Sequence, residues 1–253
     1  MNGKKKRLDS ITFWGIVLII VAIILICAIE FFKLPHVLEW YKQYEYVFEG
    51  LQEKIANIDN KFGILVIILF LFFMKSVIPF PLYPISFVCV LTSVVFNTYL
   101  SLLINLFGLV ILFYAKYLWG KKLSSGIIGR LLPKNQRLWN LISKDDNGNP
   151  WLLVVFRLIP TFPINSISSI YGSLEFNRVK YLLLSIAGFL PKLISYTIIG
   201  RNAFEPMSQA FILPIVVLLM FTGISMIGIN ELAELINKKI NSSEIANNDI
   251  EKV

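Results

Sequence analysis

The sequence predicts an all-α integral membrane protein. Hydrophobic residues make up 56% of its 253 residues. Apolar runs recur from Ile11 to Ile229, and a soluble domain of this length could not bury them all. A cleaved signal peptide ahead of a soluble domain is excluded for the same reason, because the apolar runs continue far beyond the N-terminus.

A cation and two prolines interrupt the apolar sequence at Arg157-Leu-Ile-Pro160-Thr-Phe-Pro163. A guanidinium at membrane depth is costly, so it usually faces protein or a water-filled cavity. Proline breaks the helical ladder, and broken backbone at that depth is tolerated only where protein or water satisfies it. The stretch predicts a re-entrant segment that turns back. A spanning helix that starts at Pro160, with Arg157 at the interface, is the alternative.

The N-terminal part predicts one span and one amphipathic helix. A basic cluster precedes the apolar run Ile11–Phe32, which indicates a spanning helix with a cytoplasmic N-terminus. From Leu34 to Phe62 apolar residues recur at helical period, which is typical of an amphipathic interfacial helix. Its Glu49, Glu53 and Asp59 are candidates for proton coupling, with a solvated face as the alternative.

The next apolar block repeats the pattern of the Arg157 stretch. Lys75 is followed by Pro79, Pro81 and Pro84, which predicts a second re-entrant segment. A span is expected from about Tyr99 to Trp119.

The C-terminal half predicts two more spans around basic connections. Lysines and arginines after Gly120 place a linker with one apolar face on the cytoplasmic side. Spans at about Val179–Gly200 and Ser208–Ile229 follow, and then a polar tail. The predicted segments are a first span (1–32), an interfacial helix (33–62), a first unit (63–121), a linker (122–150), a second unit (151–201), a last span (202–230) and a cytoplasmic tail (231–253).

The two proline units share their spacing. In each unit a glycine lies 24 or 25 positions after the last proline, and a second glycine and then a cation lie 12 and 13 positions further on. These glycines are Gly108 and Gly120 in the first unit and Gly188 and Gly200 in the second. If each hairpin returns to its own side, the first unit begins outside and the second inside, which predicts an inverted repeat. Chance spacing is the alternative.

The second unit resembles the DedA superfamily, whose members are also called SNARE-associated or VTT-domain membrane proteins. The residues that carry the resemblance are Arg157-x-x-Pro160-x-x-Pro163, Tyr171-Gly172, Phe176, Gly188-x-x-Pro191 and Tyr196-x-x-x-Gly200-Arg201. The resemblance covers roughly residues 60 to 201 and is weaker in the first half, where Ser93 stands near a common glycine and Lys121 where arginine is common.

The resemblance implies two re-entrant hairpins that meet in the membrane, and transbilayer movement of phospholipid or of a polyprenyl phosphate such as undecaprenyl phosphate. The family arginine of the second hairpin corresponds to Arg157. Some bacterial members use an acidic pair near the first hairpin for proton coupling, and that pair has no clear counterpart among Glu49, Glu53 and Asp59. A multi-pass protein of a bacterial plasma membrane, with both termini cytoplasmic and with homo-oligomerisation left open, is the resulting expectation.

The expected substrate contacts follow from the charge of a lipid head group. Arg157 is expected to bind the phosphate, with Lys75 and Lys192 adding positive potential and with Asn165 and Ser166 donating hydrogen bonds. A structural role for each, as a helix cap or a snorkelling cation, is the alternative.

Other function classes receive less support from the sequence. The chain has one histidine, His36, and its Cys27 and Cys89 lack metal-ligand spacing, so neither an enzyme nor a metal or other cofactor is expected. The net charge of +8 is typical of cations beside membrane spans rather than of a nucleic-acid partner. A proton-coupled small-solute or ion transporter and a membrane scaffold protein remain the alternatives.

Overall fold

The structure is a computed structural model of the chain. It describes residues 2–32, 47–55, 57–78, 83–122, 148–159 and 164–228, with backbone alone for 2–11 and 32. Within these ranges the regular structure is helical and contains no strand. The described helices are α1 (Asn2–Phe32), α2 (47–55), α3 (Lys61–Val77), α4 (Ile85–Val95), α5 (Thr98–Lys122), α6 (Pro150–Leu158), α7 (Ile164–Ser173), α8 (Arg178–Arg201) and α9 (Gln209–Gly228).

Four of these helices are long and apolar enough to cross a bilayer: Thr12–Phe31 within α1, α5, α8 and α9. The shortest have 20 residues, which at about 1.5 Å per residue reach across a hydrocarbon core of about 30 Å. Their outward faces carry large apolar side chains such as Leu103, which is 64% exposed, and Leu183, which is 63% exposed. The prediction of an all-α, multi-pass membrane protein with spans at these places is confirmed.

Helix breaks coincide with both proline segments. Helix α3 gives way to extended backbone at Ile78, and α4 starts after Pro84, whose backbone is also extended. Helix α6 likewise ends in extended backbone at Ile159, before α7 begins. The intervening 79–82 and 160–163, with Pro79, Pro81, Pro160 and Pro163, lie outside the described residues.

Three of the four helices beside these breaks are short, whereas α3 has 17 residues. Helices α4, α6 and α7 contain 11, 9 and 10 residues, or about 14 to 17 Å of helix. That length is about half of a hydrocarbon core. None of the three can cross a bilayer by itself.

The broken helices pack around α5 and α8. Helix α5 lies against α3 and α7, α8 lies against α4 and α6, and α5 and α8 contact each other. One buried cluster connects these helices. It includes Phe72 of α3, Val88 of α4, Leu112 of α5, Tyr171 of α7 and Phe189 of α8.

Glycines set the close helix crossings in this core, and four of them lie in α5 and α8. A Cβ atom on Gly108 would meet the Phe72 ring of α3, and one on Gly188 would meet Val154 and Arg157 of α6. The glycines at the C-terminal ends of α5 and α8 contact different helices. A Cβ atom on Gly120 would meet the backbone of Ser169 in α7, and one on Gly200 would meet the backbone of Val90 in α4. Each span therefore contacts the first helix of its own unit and the second helix of the other unit.

Helices α1 and α9 form a separate pair. A Cβ atom on Gly15 would lie 2.9 Å from the Gly223 carbonyl oxygen, so the two backbones cross closely. Small residues at such crossings are usual in membranes because they let dispersion contacts form between backbones. The buried cluster of this pair consists of Ala22, Ile29, Ile212 and Val216.

Several predicted segments are described in part. Of the interfacial helix expected over Leu34–Phe62, residues 33–46 lie outside the described part, 47–55 are helical, and Phe62 belongs to α3. The boundary moves because the Asn60 side chain accepts a hydrogen bond from the Gly63 amide at 2.8 Å and starts a new helix there. The linker residues 123–147 and the tail 229–253 lie outside the described residues.

Adding a methyl group at a crossing glycine should destabilise the fold. We expect Gly120→Ala and Gly200→Ala to lower the free energy of unfolding by about 1 to 3 kcal/mol, because each new Cβ meets rigid backbone. Thermal unfolding in detergent measures the effect. Gly50→Ala is the control, since nothing lies within 4 Å of its added Cβ and alanine favours a helix. Equal melting temperatures for all three variants would contradict the packing described.

Candidate functional site

Arg157 lies at the end of α6 and is 1% exposed. Helix α6 starts at a strong cap: the Asn149 side chain accepts from the amides of Trp151 and Leu152, and Pro150 occupies the first turn. The helix ends one residue after Arg157. The cation is therefore held at the break, inside the helical core.

Neutral oxygen atoms surround the guanidinium. Its Nη2 donates to Ser168 Oγ at 2.7 Å and to the Tyr181 hydroxyl at 2.8 Å. Its Nε donates to Ser185 Oγ at 3.3 Å, and Nη1 donates to the Ile164 carbonyl at 3.4 Å. These acceptors come from α7 and α8, so Arg157 connects three helices.

Two of the acceptors are themselves oriented. Ser168 Oγ donates to the Ile164 carbonyl at 2.7 Å, and the Tyr181 hydroxyl donates to the Phe113 carbonyl at 3.3 Å. Each hydroxyl has its proton directed elsewhere and presents a lone pair to Arg157. The guanidinium carbon also lies 4.3 Å from the centroid of the Phe113 ring, within cation–π range.

The charge of Arg157 has no counter-ion among the described residues. No described carboxylate lies within ion-pair distance of it; an ion pair that is present joins Lys121 and Glu175 at 3.2 Å, at the end of α5. Hydroxyls and a carbonyl satisfy four of the five N–H donors but leave the net charge in place. A buried cation in this state attracts an anion strongly.

Lys192 is the second buried cation of this unit, at 5% exposed. It follows Pro191 inside α8, and its ammonium lies 4.4 Å from the centroid of the Phe189 ring. None of the described residues accepts a hydrogen bond from it, and its side chain lines a crevice beside α9.

Two lysines serve the first break in a different way. Lys75 donates to the Tyr83 carbonyl, and Lys116 of α5 donates to the Ile78 carbonyl at 2.7 Å. Both carbonyls flank the broken segment, where the helical ladder no longer supplies donors. The lysines thus bind one backbone carbonyl on each side of the break.

Four residues of the site were not predicted from the sequence: Lys116, Ser168, Tyr181 and Ser185. A signal was present in α8, where Tyr181, Ser185, Gly188 and Lys192 follow each other at helical spacing and mark one polar face in an apolar span. Lys116 is an ionisable residue in an apolar run, which by itself indicates a special site.

The other predicted contacts are separated from Arg157 or exposed. Asn165 is half-buried and Ser166 is exposed, whereas Ser168, two residues on, reaches the guanidinium. Arg201 is exposed at the end of α8. Glu49, Glu53 and Asp59, the candidates for proton coupling, are exposed on α2 and the turn after it. Within the described ranges, no three histidine, cysteine or acidic side chains are close enough to hold a metal ion.

The helical core coincides with a known sequence family. Residues 78–202 match the family model of the VTT domain. The chain carries a VTT domain. This domain runs from the first helix break to the end of α8, so Lys116, Arg157 and Lys192 belong to it. Lys75, α1 and α9 lie outside it. No curated protein and no solved structure matches the chain.

Removing the tyrosine hydroxyl from the Arg157 network should weaken the VTT domain. We expect Tyr181→Phe to lower the free energy of unfolding by about 1 to 2 kcal/mol, because one guanidinium N–H and the Phe113 carbonyl each lose a partner. Denaturant or thermal unfolding in detergent measures the loss. Tyr99→Phe, at a tyrosine that is 83% exposed, is the matched control. Equal stability of the two variants would show that the network contributes nothing.

Proposed function

We propose that the chain is a transporter, and not an enzyme, that moves a phospholipid or polyprenyl phosphate across the bilayer. The observation that carries the proposal is the buried guanidinium of Arg157, which has no described carboxylate beside it. Lys192, Lys116 and Lys75 add positive charge to the same core. A core with this charge favours an anionic ligand, and the charged ligand abundant in a membrane is a lipid head group.

The proposed architecture is an inverted repeat of two re-entrant hairpins. The first hairpin is α3 and α4, the second is α6 and α7, and each precedes its spanning helix, α5 or α8. Three features support this: the breaks at equivalent prolines, the short helices beside them, and the exchange of glycine contacts between units. Broken helices that meet near the midplane form the substrate sites of many transporters with inverted repeats.

Transport then requires the Arg157 network to open. In the closed arrangement four N–H···O bonds occupy the guanidinium, and the residue is 1% exposed. A head-group phosphate would replace Ser168 and Tyr181 as acceptor, and a phosphate offers charge-assisted, bidentate bonds where hydroxyls offer neutral ones. Asn165 and Ser166 near the start of α7 and Lys75 at the other break would contact the same head group.

The topology proposed with this function places both termini in the cytoplasm of a bacterial plasma membrane. The lysine and arginine clusters at 4–7 and after Gly120 support it, because cytoplasmic loops carry an excess of these residues. The first hairpin then opens from the outer face and the second from the inner face. Such a pair gives a head group a polar site accessible from each side in turn.

The transport role of Arg157 is tested by lipid flux in proteoliposomes. We expect Arg157→Ala to lower the flux of a fluorescent lipid phosphate by about 10- to 100-fold, the loss of one charge-assisted contact of about 1.5 to 3 kcal/mol. Arg157→Lys should be impaired as well, since an ammonium cannot replace the planar fork.

Lys180→Ala is the matched control, because Lys180 is exposed on α8 and leaves the core unchanged. Flux is normalised to the amount of folded protein, which size-exclusion profiles and melting curves give. Wild-type flux in a folded Arg157→Ala protein would remove Arg157 from the mechanism. Replacing the interfacial helix α2 by an unrelated amphipathic helix should leave flux intact, whereas a scaffold protein would lose its function.

A further inference from the structure

A crevice opens between the VTT domain and α9, beside the end of α6. Its walls include Leu158 at the end of α6, Pro191, Lys192 and Ser195 of α8, and Val217 and Phe221 of α9. Its cavity volume is about 20 Å³, room for about one water molecule, and it opens to the surroundings. One wall therefore belongs to the family domain and the other to a helix outside it.

Lys192 supplies the positive charge of this crevice. Its side chain is 95% buried (5% exposed), and none of the described residues accepts a hydrogen bond from its ammonium. The ring of Phe189 contacts one side of that ammonium, but a cation–π contact leaves the N–H donors unsatisfied. An ammonium in this position lacks both a counter-ion and an acceptor.

The other lining groups do not supply what Lys192 lacks. Ser195 Oγ donates to the Pro191 carbonyl at 3.0 Å, and the remaining walls are apolar. Pro191 also leaves one gap in the hydrogen-bond ladder of α8, which continues to Arg201, since proline has no N–H to donate. The crevice thus combines one unpaired cation with apolar walls, and one of these walls continues along the exposed side chains of α9, such as Phe221 and Ile224.

We propose that this crevice is a lateral binding site for the phosphate of an anionic lipid, with an acyl chain lying along α9. The ammonium of Lys192 binds one phosphate oxygen that enters the crevice, and the rest of the head group and the chain stay outside because the crevice has room for about one water-sized group. A zwitterionic head group brings its own cation and gains less from Lys192. The inference rests on the proposed function in one respect, because its occupant is the lipid phosphate named there.

Photo-crosslinking tests the site in phosphatidylcholine vesicles that contain the full-length protein. The probe is a phosphatidate with a diazirine on one acyl chain, and a phosphatidylcholine with the same chain is its reference. We expect the phosphatidate to label the Val217–Phe221 part of α9 about tenfold more than the reference, the preference that one charge-assisted contact supplies. Equal labelling by the two probes would overturn the proposal.

Variants assign that preference to Lys192. Lys192→Met keeps the length of the side chain without its charge and should reduce phosphatidate labelling to the level of the reference, whereas Lys192→Arg should keep it. Lys180→Met, at an exposed lysine of the same helix, should label as wild type. Wild-type labelling of folded Lys192→Met would overturn the proposal.

A second variant keeps the test decisive if Lys192→Met does not fold. Val217→Trp fills the crevice from α9 and leaves Lys192 in place; Val217 is 37% exposed, so a larger side chain has room to fit. We expect it to lose the phosphatidate preference, and wild-type labelling would overturn the proposal. Inorganic phosphate should not compete, since it has no chain for α9. Competition by it would make this a free-phosphate site and the lipid assignment wrong.

Flux measured on the same vesicles separates this inference from the proposed function. Phosphatidate labelling without transport of any lipid phosphate would leave the crevice site standing and remove the transport proposal. Transport of a lipid phosphate together with equal labelling by the two probes would support the transport proposal and remove the crevice site.

Discussion

The structure depends on keeping one guanidinium satisfied inside an apolar helical core. Arg157 has no described carboxylate beside it, and its bonds to Ser168, Tyr181, Ser185 and a backbone carbonyl come from two other helices. Those acceptors can converge only if α6 ends beside them and α8 approaches closely. The end of α6 at Leu158 and the contact of Gly188 with Arg157 meet these two requirements. The buried charge of Arg157 and the end of α6 beside it thus depend on each other.

In both halves of the VTT domain, polar contacts of cations stabilise a helix break. Backbone freed at the first break is bound by Lys75 and Lys116, so cations stabilise the broken segment there, whereas at the second break hydroxyls stabilise a cation. Glycines at the ends of α5 and α8 then let each span contact the second helix of the other unit. A movement that opens one break would therefore displace the helices at the other break, because the backbones are closely packed at these crossings.

Much of this architecture could be predicted from sequence because its causes are local. Hydropathy places the four spans, and a cation followed by prolines places both breaks. The partners of Arg157 were not predicted, since Ser168 and Ser185 are ordinary residues until packing brings them to the guanidinium. Asn165 and Ser166 were chosen by proximity in sequence, but the helical turn presents Ser168 instead. The helix start at Asn60 was missed because a single side-chain cap outweighs the apolar period that continues through it.

The central claim is that both broken helices return to the face from which they started. Single cysteines at exposed positions test it, in a Cys27→Ser background, with a membrane-impermeant thiol reagent on sealed cells. Asp59→Cys and Tyr99→Cys flank the first hairpin, and Trp151→Cys and Lys180→Cys flank the second. We predict that the first two react from outside and that the other two react only after permeabilisation. Labelling of either flanking pair from opposite faces would mean that the segment crosses the membrane, and that result would contradict the account.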